Sequence, residues 1–449
     1  MKAYKVATSF FRLLPLTVLM ISTSLFSMEN SLNPPLQNYL EGVSQLVKSQ
    51  WPQVIRIWPK MDYTKTNLLI ISINHNDGIA RYWLINVNGL REVTADETGP
   101  LPQPAVENYA IAKILGRNGV IITLDSKKLP KRHEDIFRLA THELVHGWYQ
   151  AEIKPPAGAD SRHTPYPLDY RPRLYRYMAI RSLQQAVRQP KESFHLCYAK
   201  YWFDKWQHEY KDEYQKIKNT DISEGSASYI ENMSVVIEKD KTLQQVQTKL
   251  LPILNTTPDQ TSSLDDESYL LGDVAGVLLD VYQPQWKHTF YQNAIPPAEL
   301  LLRNVTGCNI HSVTSPFESI FRKKTEQENQ QLSHDFMTIA DVIRNPAIPF
   351  LRLDVRKEQG SSTNKGFYDF FGHKIALAYT AKYQGKNWHV QLKEQNILEL
   401  SSSILIPLPA GTVAKNNILI LNHPKLKGSF KVKSERDSEK RLIYTPVEM

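Results

Sequence analysis

Cysteine is almost missing from this chain: 449 residues contain two. That excludes a disulfide-stapled scaffold and any metal cluster built from four thiolates. No apolar run long enough to cross a bilayer follows the N-terminal segment, which excludes a polytopic membrane protein. Internal repeats and low-complexity tracts are also absent. What is present suits a globular protein with a sizeable core: 41% apolar, 10% aromatic and 22% charged residues. The length suggests two or three domains.

Residues 1–27 read as a secretory leader. Lys2, Lys5 and Arg12 precede an uncharged stretch that runs to Met28, with small residues at Ser22, Ser24 and Ser27 where a peptidase can cut. An uncleaved anchor is the alternative, although Pro15, Thr17, Ser22 and Thr23 interrupt the apolar run. The formal charge of +8 includes those three basic residues, leaving +5 for a processed chain. The remaining cations are mixed with acids and form no stripe with interleaved aromatics, so no nucleic-acid partner is expected. An exported chain, periplasmic or secreted, permits a Cys197–Cys308 disulfide, and free buried thiols fit equally well. Asn232, Asn255 and Asn304 head glycosylation triplets that matter only in a eukaryotic host.

The expected class is α+β in three regions: residues 28–130 with β character, a helical region over 131–300, and a β-rich region over 301–449. Residues 36–49 form an amphipathic helix. Asn67–Ile73 and Ala80–Val87 read as a hairpin around the turn Asn76-Asp77-Gly78, and Gly119–Leu124 is a further apolar strand. Helices follow over 134–150, 173–188, 191–218, 223–237 and 267–282. The stretch Lys323–Gln331 reads as solvated. Strands return at Phe350–Val355, Lys374–Tyr383 and Trp388–Lys393, the last two joined by a hairpin loop at 384–387, and residues 431–441 read as a mobile surface or tail.

One motif dominates: His142-Glu143-Leu144-Val145-His146, or HExxH. Histidines at i and i+4 project from one helix face, so both imidazoles reach a single ion, and Glu143 lies beside them to take a proton from an activated water. Chance supplies about 0.02 such matches in a chain of this composition. Ile136, Leu139, Ala140, Leu144 and Val145 give the helix its apolar positions. A surface helix with two histidines four apart is the rival reading.

A second segment agrees with the first. Residues 224–229, Glu-Gly-Ser-Ala-Ser-Tyr, match the spelling E-G-x-A-x-Y, and with HExxH the chain resembles the gluzincin-type zinc metallopeptidases. The resemblance implies zinc held by His142, His146 and Glu224, an open fourth position, and Glu143 as general base. It covers residues 134–150 and 221–233, and the 77 residues between His146 and Glu224 exceed the short connection of the thermolysin-like members. On the residues alone, Glu224 is also a capping-box partner of Asp221 at the start of a helix. Glu231, two turns further along the same face, is the competing ligand.

Four side chains are candidates for stabilising an oxyanion: Tyr229, Tyr269, His163 and Arg171. Tyr269, at the head of the apolar run Tyr269–Tyr282, is taken as catalytic, and Tyr229 as packing. Gly272 and Gly276 in that run allow close helix approach. Asp221 and Asp273 are candidates for orienting an imidazole. The aromatic residues Tyr201, Trp202, Phe203 and Trp206 are read as packing. The expectation is an exported zinc-dependent hydrolase acting on a peptide or protein, with no stable membrane insertion after leader cleavage. The rivals are an inactive envelope-binding protein that keeps the fold, and a metal-free structural protein.

Overall fold

The strand β1 (Asn67–Asn74) is buried over its first six residues because it is the centre of a five-stranded sheet, with both faces covered. The order is β3 (Gly89–Val93), β2 (Ile79–Asn86), β1, β5 (Arg117–Asp125), β4 (Asn108–Ile114). β1 and β5 run parallel, and the other pairs are antiparallel. This is the structure of a computed structural model, which describes residues 34–74, 79–102, 108–150, 153, 163–255, 264–293, 295–306, 315–355, 362–385 and 388–447. The expected leader, the turn at 76–78 and residues 386–387 of the expected hairpin loop lie outside the described residues. The α+β class holds.

Leu69, Ile71 and Ile121 on one face of the sheet meet Leu84, Val93 and Ile114 in a small cluster. Leu68, Ile70, Val120 and Ile122 on the other face enter the main core. That core takes in α1 (Pro34–Gln50), α2 (His133–Leu144), α3 (Arg171–Arg188), α4 (Phe194–Glu209), α5 (Lys211–Val236) and α6 (Leu264–Tyr282). The sheet and the helices on either side of residue 130 therefore share one apolar interior. Trp202, Phe203 and Trp206 of α4 are buried in it, as the packing reading expects.

Two features bring α5 and α6 together. Gly225 and Gly272 face each other so closely that a Cβ on Gly272 would lie 2.1 Å from the Gly225 Cα, and one on Gly276 would lie 2.5 Å from the Tyr229 ring. A buried charged network then ties both helices to α3. Arg176, 1% exposed, meets Asp221 at 2.7 and 3.0 Å and Glu267 at 2.8 Å, with its guanidinium 4.4 Å over the Trp206 ring. Burial pushes the Glu267 carboxyl up to about 7 against the pull of Arg173 and Arg176.

The C-terminal strands form a second body of sheet. Its order is β12 (Ile418–His423), β13 (Leu426–Arg436), β14 (Leu442–Pro446), β7 (Phe350–Asp354), β11 (Ser403–Pro407), β10 (His389–Glu399), β9 (His373–Gln384), β8 (Gly366–Phe370), β6 (Thr164–Pro165). β13 also pairs with β10, so β10, β11, β7, β14 and β13 close into a ring around Leu353, Leu392, Ile404, Ile406, Phe430 and Val432. The helix α7 (Glu318–Arg344) covers neighbouring strands with Phe336 and Ile339 on Tyr368, Ile375 and Leu377.

Several expectations need correction. The helix expected over 191–218 ends at Glu209, and the one expected over 223–237 begins at Lys211. Lys323–Gln331 is solvated as expected, but it belongs to the 27-residue helix α7, which the sequence reading did not place. Residues 431–441 are no tail: β13 runs to Arg436, and Arg441, 2% exposed, donates to the carbonyls of Val342 and Ile343 at the C-terminus of α7. Asn232 is buried and hydrogen-bonded to Asp273, which removes it as a glycosylation acceptor. Cys197 is disulfide-bonded, and Cys308 lies outside the described residues. Among the described residues no helix is long and apolar enough to cross a membrane.

Because the α5–α6 crossing has no room for a methyl group, Gly272→Ala is expected to destabilise the protein by about 1–3 kcal/mol or more, read as a lowered thermal midpoint. The exposed Gly411, with nothing near its Cα but a φ of 77°, serves as the comparison: Gly411→Ala should show only the smaller backbone cost.

Candidate metal centre

The helix α2 carries His142 and Glu143 in its last turn and runs on through a π turn, Val145–Tyr149, which carries His146. The wider turn brings the Gln150 N–H onto the Val145 carbonyl at 3.0 Å. Within it, Gly147 leaves space for the edge strand β4, since a Cβ there would lie 2.6 Å from Ile111 Cγ2. The motif therefore lies directly beside a free sheet edge.

Glu224 lies in the middle of the 26-residue helix α5, so the capping-box reading does not hold. Its Oε2 is 3.2 Å from His142 Nε2 and 3.1 Å from His146 Nε2, and the two Nε2 atoms are 2.9 Å apart. His142, Glu143 and Glu224 are 7%, 6% and 5% exposed. Three ligand atoms thus converge on one point from α2, the π turn and α5.

The outer nitrogens settle the protonation. His142 Nδ1 faces Glu231 Oε2 at 2.9 Å, an acceptor, so that nitrogen carries the proton. His146 Nδ1 faces Gln150 Oε1 at 2.7 Å, and the amide is oriented by its Nε2 donating to Ser223 O at 2.7 Å and Ser226 Oγ at 3.1 Å. When neutral, each ring therefore presents its Nε2 lone pair to the centre, where the Glu224 carboxylate adds another. Three lone pairs meeting without a shared proton repel one another unless positive charge sits among them.

Without an ion, the same cluster draws protons onto its imidazoles. Burial opposes a charge on His142, yet Glu224 and Glu231 outweigh it and hold its pKa well above the usual imidazole range. Burial also pushes Glu224 up, and the two imidazoles prevail and hold it well below the usual carboxylate range. Protons or a cation can satisfy such a cluster. Two imidazoles and one carboxylate suit a borderline-soft divalent ion, and a tetrahedral site with bonds near 2.0–2.1 Å has ligand edges of about 3.3 Å, close to the spacings seen. His142, His146 and Glu224 fit a metal ion.

Glu231 is not the competing ligand: it is the carboxylate that orients His142. Arg138 stands 3.6 Å from its other oxygen and also donates to Asn232, which donates to Asp273 at 2.9 Å. Asp221 and Asp273, the residues expected to orient an imidazole, do not reach one. Asp221 is held by Arg176, and Asp273 accepts from Ser228 and Asn232, with burial pushing its carboxyl up to about 7.

Glu143 is buried beside the cluster, and burial raises its carboxyl above the usual range against His142 and His146, with Tyr109 of β4 hydrogen-bonded to it. The Tyr269 ring stands edge-on to His142, centroids 5.7 Å apart, so α6 does bring this residue to the cluster. The other candidates are engaged elsewhere. Arg171 is paired bidentately with Asp169, His163 with Glu399, and Tyr229 donates to Asp280 and contacts Lys287. Gln150 and Tyr109 were not foreseen. Gln150 stands four residues after His146, a spacing visible in the sequence, whereas only the sheet brings Tyr109 to Glu143.

No family model, curated protein or solved structure matches this chain.

The Glu231 contact makes a measurable claim. Glu231→Gln is expected to lower divalent-cation affinity by about 10–100-fold with little change in thermal stability, measured by competition with a chromophoric chelator. An unchanged affinity would show that Glu231 does not orient His142.

Proposed function

We propose that the protein is an exported zinc-dependent hydrolase that cleaves peptide bonds. The convergence of the His142, His146 and Glu224 lone pairs, with the buried carboxylate of Glu143 next to them, carries this reading. Zinc bound there supplies Lewis acidity, polarising a carbonyl and making a water acidic near neutral pH. Three protein ligands, rather than four, leave room for both.

The remaining steps belong to the chain. Glu143 accepts the proton of the attacking water and returns it to the leaving amine, and its raised pKa suits a group that must both take and give up a proton. Tyr109 holds the Glu143 carboxylate towards the sheet edge. Among the described residues β4 pairs only with β5, so its outer edge offers backbone donors and acceptors to an extended substrate, which favours a polypeptide over a compact ester. Tyr269, close to His142, is the side chain placed to donate to a developing oxyanion. Export rests on the residues read as a leader, with Lys2, Lys5 and Arg12 before an uncharged stretch.

Protein purified without added chelator is expected to carry about one zinc per chain, lost on replacing His142 or His146 by Ala. Elemental analysis that finds no stoichiometric transition metal rules the reading out. In a mixed peptide library, Glu143→Gln should retain the metal and the fold while losing on the order of 10²-fold or more in hydrolysis. Equal cleavage by both proteins would place the activity elsewhere. No cleavage by the metal-loaded wild type would favour a binding protein that keeps the site.

A further inference from the structure

The outside of the C-terminal ring carries a feature that the metal centre does not explain. Strand register fixes which side chains share its outer face. Ile418 of β12 pairs with Lys431 of β13, whose carbonyl accepts from the Val447 N–H on the other side. Two positions along, Ile420 pairs with Ser429, which pairs with His389, which pairs with Gln384. The next row is Asn422, Lys427, Gln391 and Lys382. Lys433 continues the face beyond Lys431, beside Thr445.

Within this face, large aliphatic side chains stand in solvent: Ile420 is 71% exposed, Ile418 47% and Val447 38%. Val413, 70% exposed, lies just before β12. Isolated exposed aliphatics are ordinary, but a contiguous group on one sheet face marks a contact surface. The lysines around it are exposed, and among the described residues Lys382, Lys427 and Lys433 have no ion-pair partner. The one acid on β13, Glu435, is paired with Arg352 at 2.7 Å.

We propose that this face docks the protein on the surface of an anionic phospholipid bilayer. Lysines beside an aliphatic sheet edge match the two layers of such a surface. The ammonium groups remain among the phosphates, while Ile418 and Ile420 enter the acyl boundary. Nucleic acid is a poorer match, because among the described residues the face has no Phe, Tyr or Trp on which a base stacks, and Arg352 beside it is paired with Glu435. The contact is peripheral and does not depend on the metal-site reading.

The test is co-sedimentation of the full chain with vesicles of mixed phosphatidylglycerol and phosphatidylcholine, against phosphatidylcholine alone. Binding is expected to the anionic vesicles only and to weaken with rising salt. Each such lysine contributes about fivefold in affinity, so the triple variant Lys382→Glu, Lys427→Glu, Lys433→Glu should lose about 100-fold or more. Ile418→Ser with Ile420→Ser should lose about tenfold or more while keeping the salt dependence. Thermal midpoints report on folding, and Lys→Gln at the same three positions replaces the glutamate set if that set does not fold. A wild type that ignores anionic vesicles at low salt overturns the proposal, as does a folded lysine variant that binds like the wild type. Loss of binding in the lysine variant alone, with heparin or DNA displacing the vesicles and the isoleucine variant unchanged, makes the face a general polyanion site and overturns it too.

Discussion

The approach of α5 to α6 at Gly225 and Gly272 is the contact on which the His142–His146–Glu224 cluster depends. Glu224 precedes Gly225, so the depth to which α5 sinks against α6 sets where its carboxylate arrives. The same crossing brings Tyr269, one turn before Gly272, to the His142 ring. Arg176 fixes the register from a third side by gripping Asp221 on α5 and Glu267 on α6. Such a buried network adds little net stability, since desolvation offsets the attraction, but removing one partner leaves an uncompensated charge. Its value here is that α3, α5 and α6 can meet in only one arrangement.

Electrostatic demand then organises the cluster itself. Two neutral imidazoles whose protons face outward, to Glu231 and Gln150, offer lone pairs inward, and Glu224 adds negative charge to the same point. Among the described residues, the nearby guanidinium groups are committed elsewhere: Arg138 is held on the far side of Glu231, and Arg176 faces Asp221 and Glu267. A centre built this way selects positive charge. It also orients its ligands before any ion arrives, because Gln150 is itself fixed by Ser223 and Ser226.

The two halves of the chain solve different packing problems. The N-terminal sheet buries one face under the helices and leaves β4 as an open edge beside HExxH. The C-terminal strands close on themselves, and the outer face at β12 and β13 carries lysines and exposed aliphatics. α7 and Arg441 join the two by covering the β8–β9 strands and capping the helix that does so.

Local pattern was enough for several elements. The apolar runs at 67–73 and 119–124 are strands in isolation as in the fold, and HExxH places two imidazoles on one face through helical spacing alone. Gly272 and Gly276 likewise marked a close crossing, because glycine in an apolar helix has few other reasons to be there. Where apolar periodicity is weak, local reading failed: α5 mixes polar and small residues on every side, so its start at Lys211 and the mid-helix place of Glu224 were hidden, and the helix α7 went unplaced. Roles that require two distant segments to meet belonged to the tertiary structure. Glu231 and Glu224 stand on the same face of one helix, and only the approach of α2 puts one carboxylate at His142 Nε2 and the other at His142 Nδ1. Sequence determined that two histidines can share an ion. The packing of α2, α5 and α6 decided which carboxylate faces that point, because a side chain's chemistry is local but its partner is set by where the rest of the core lets the helix lie.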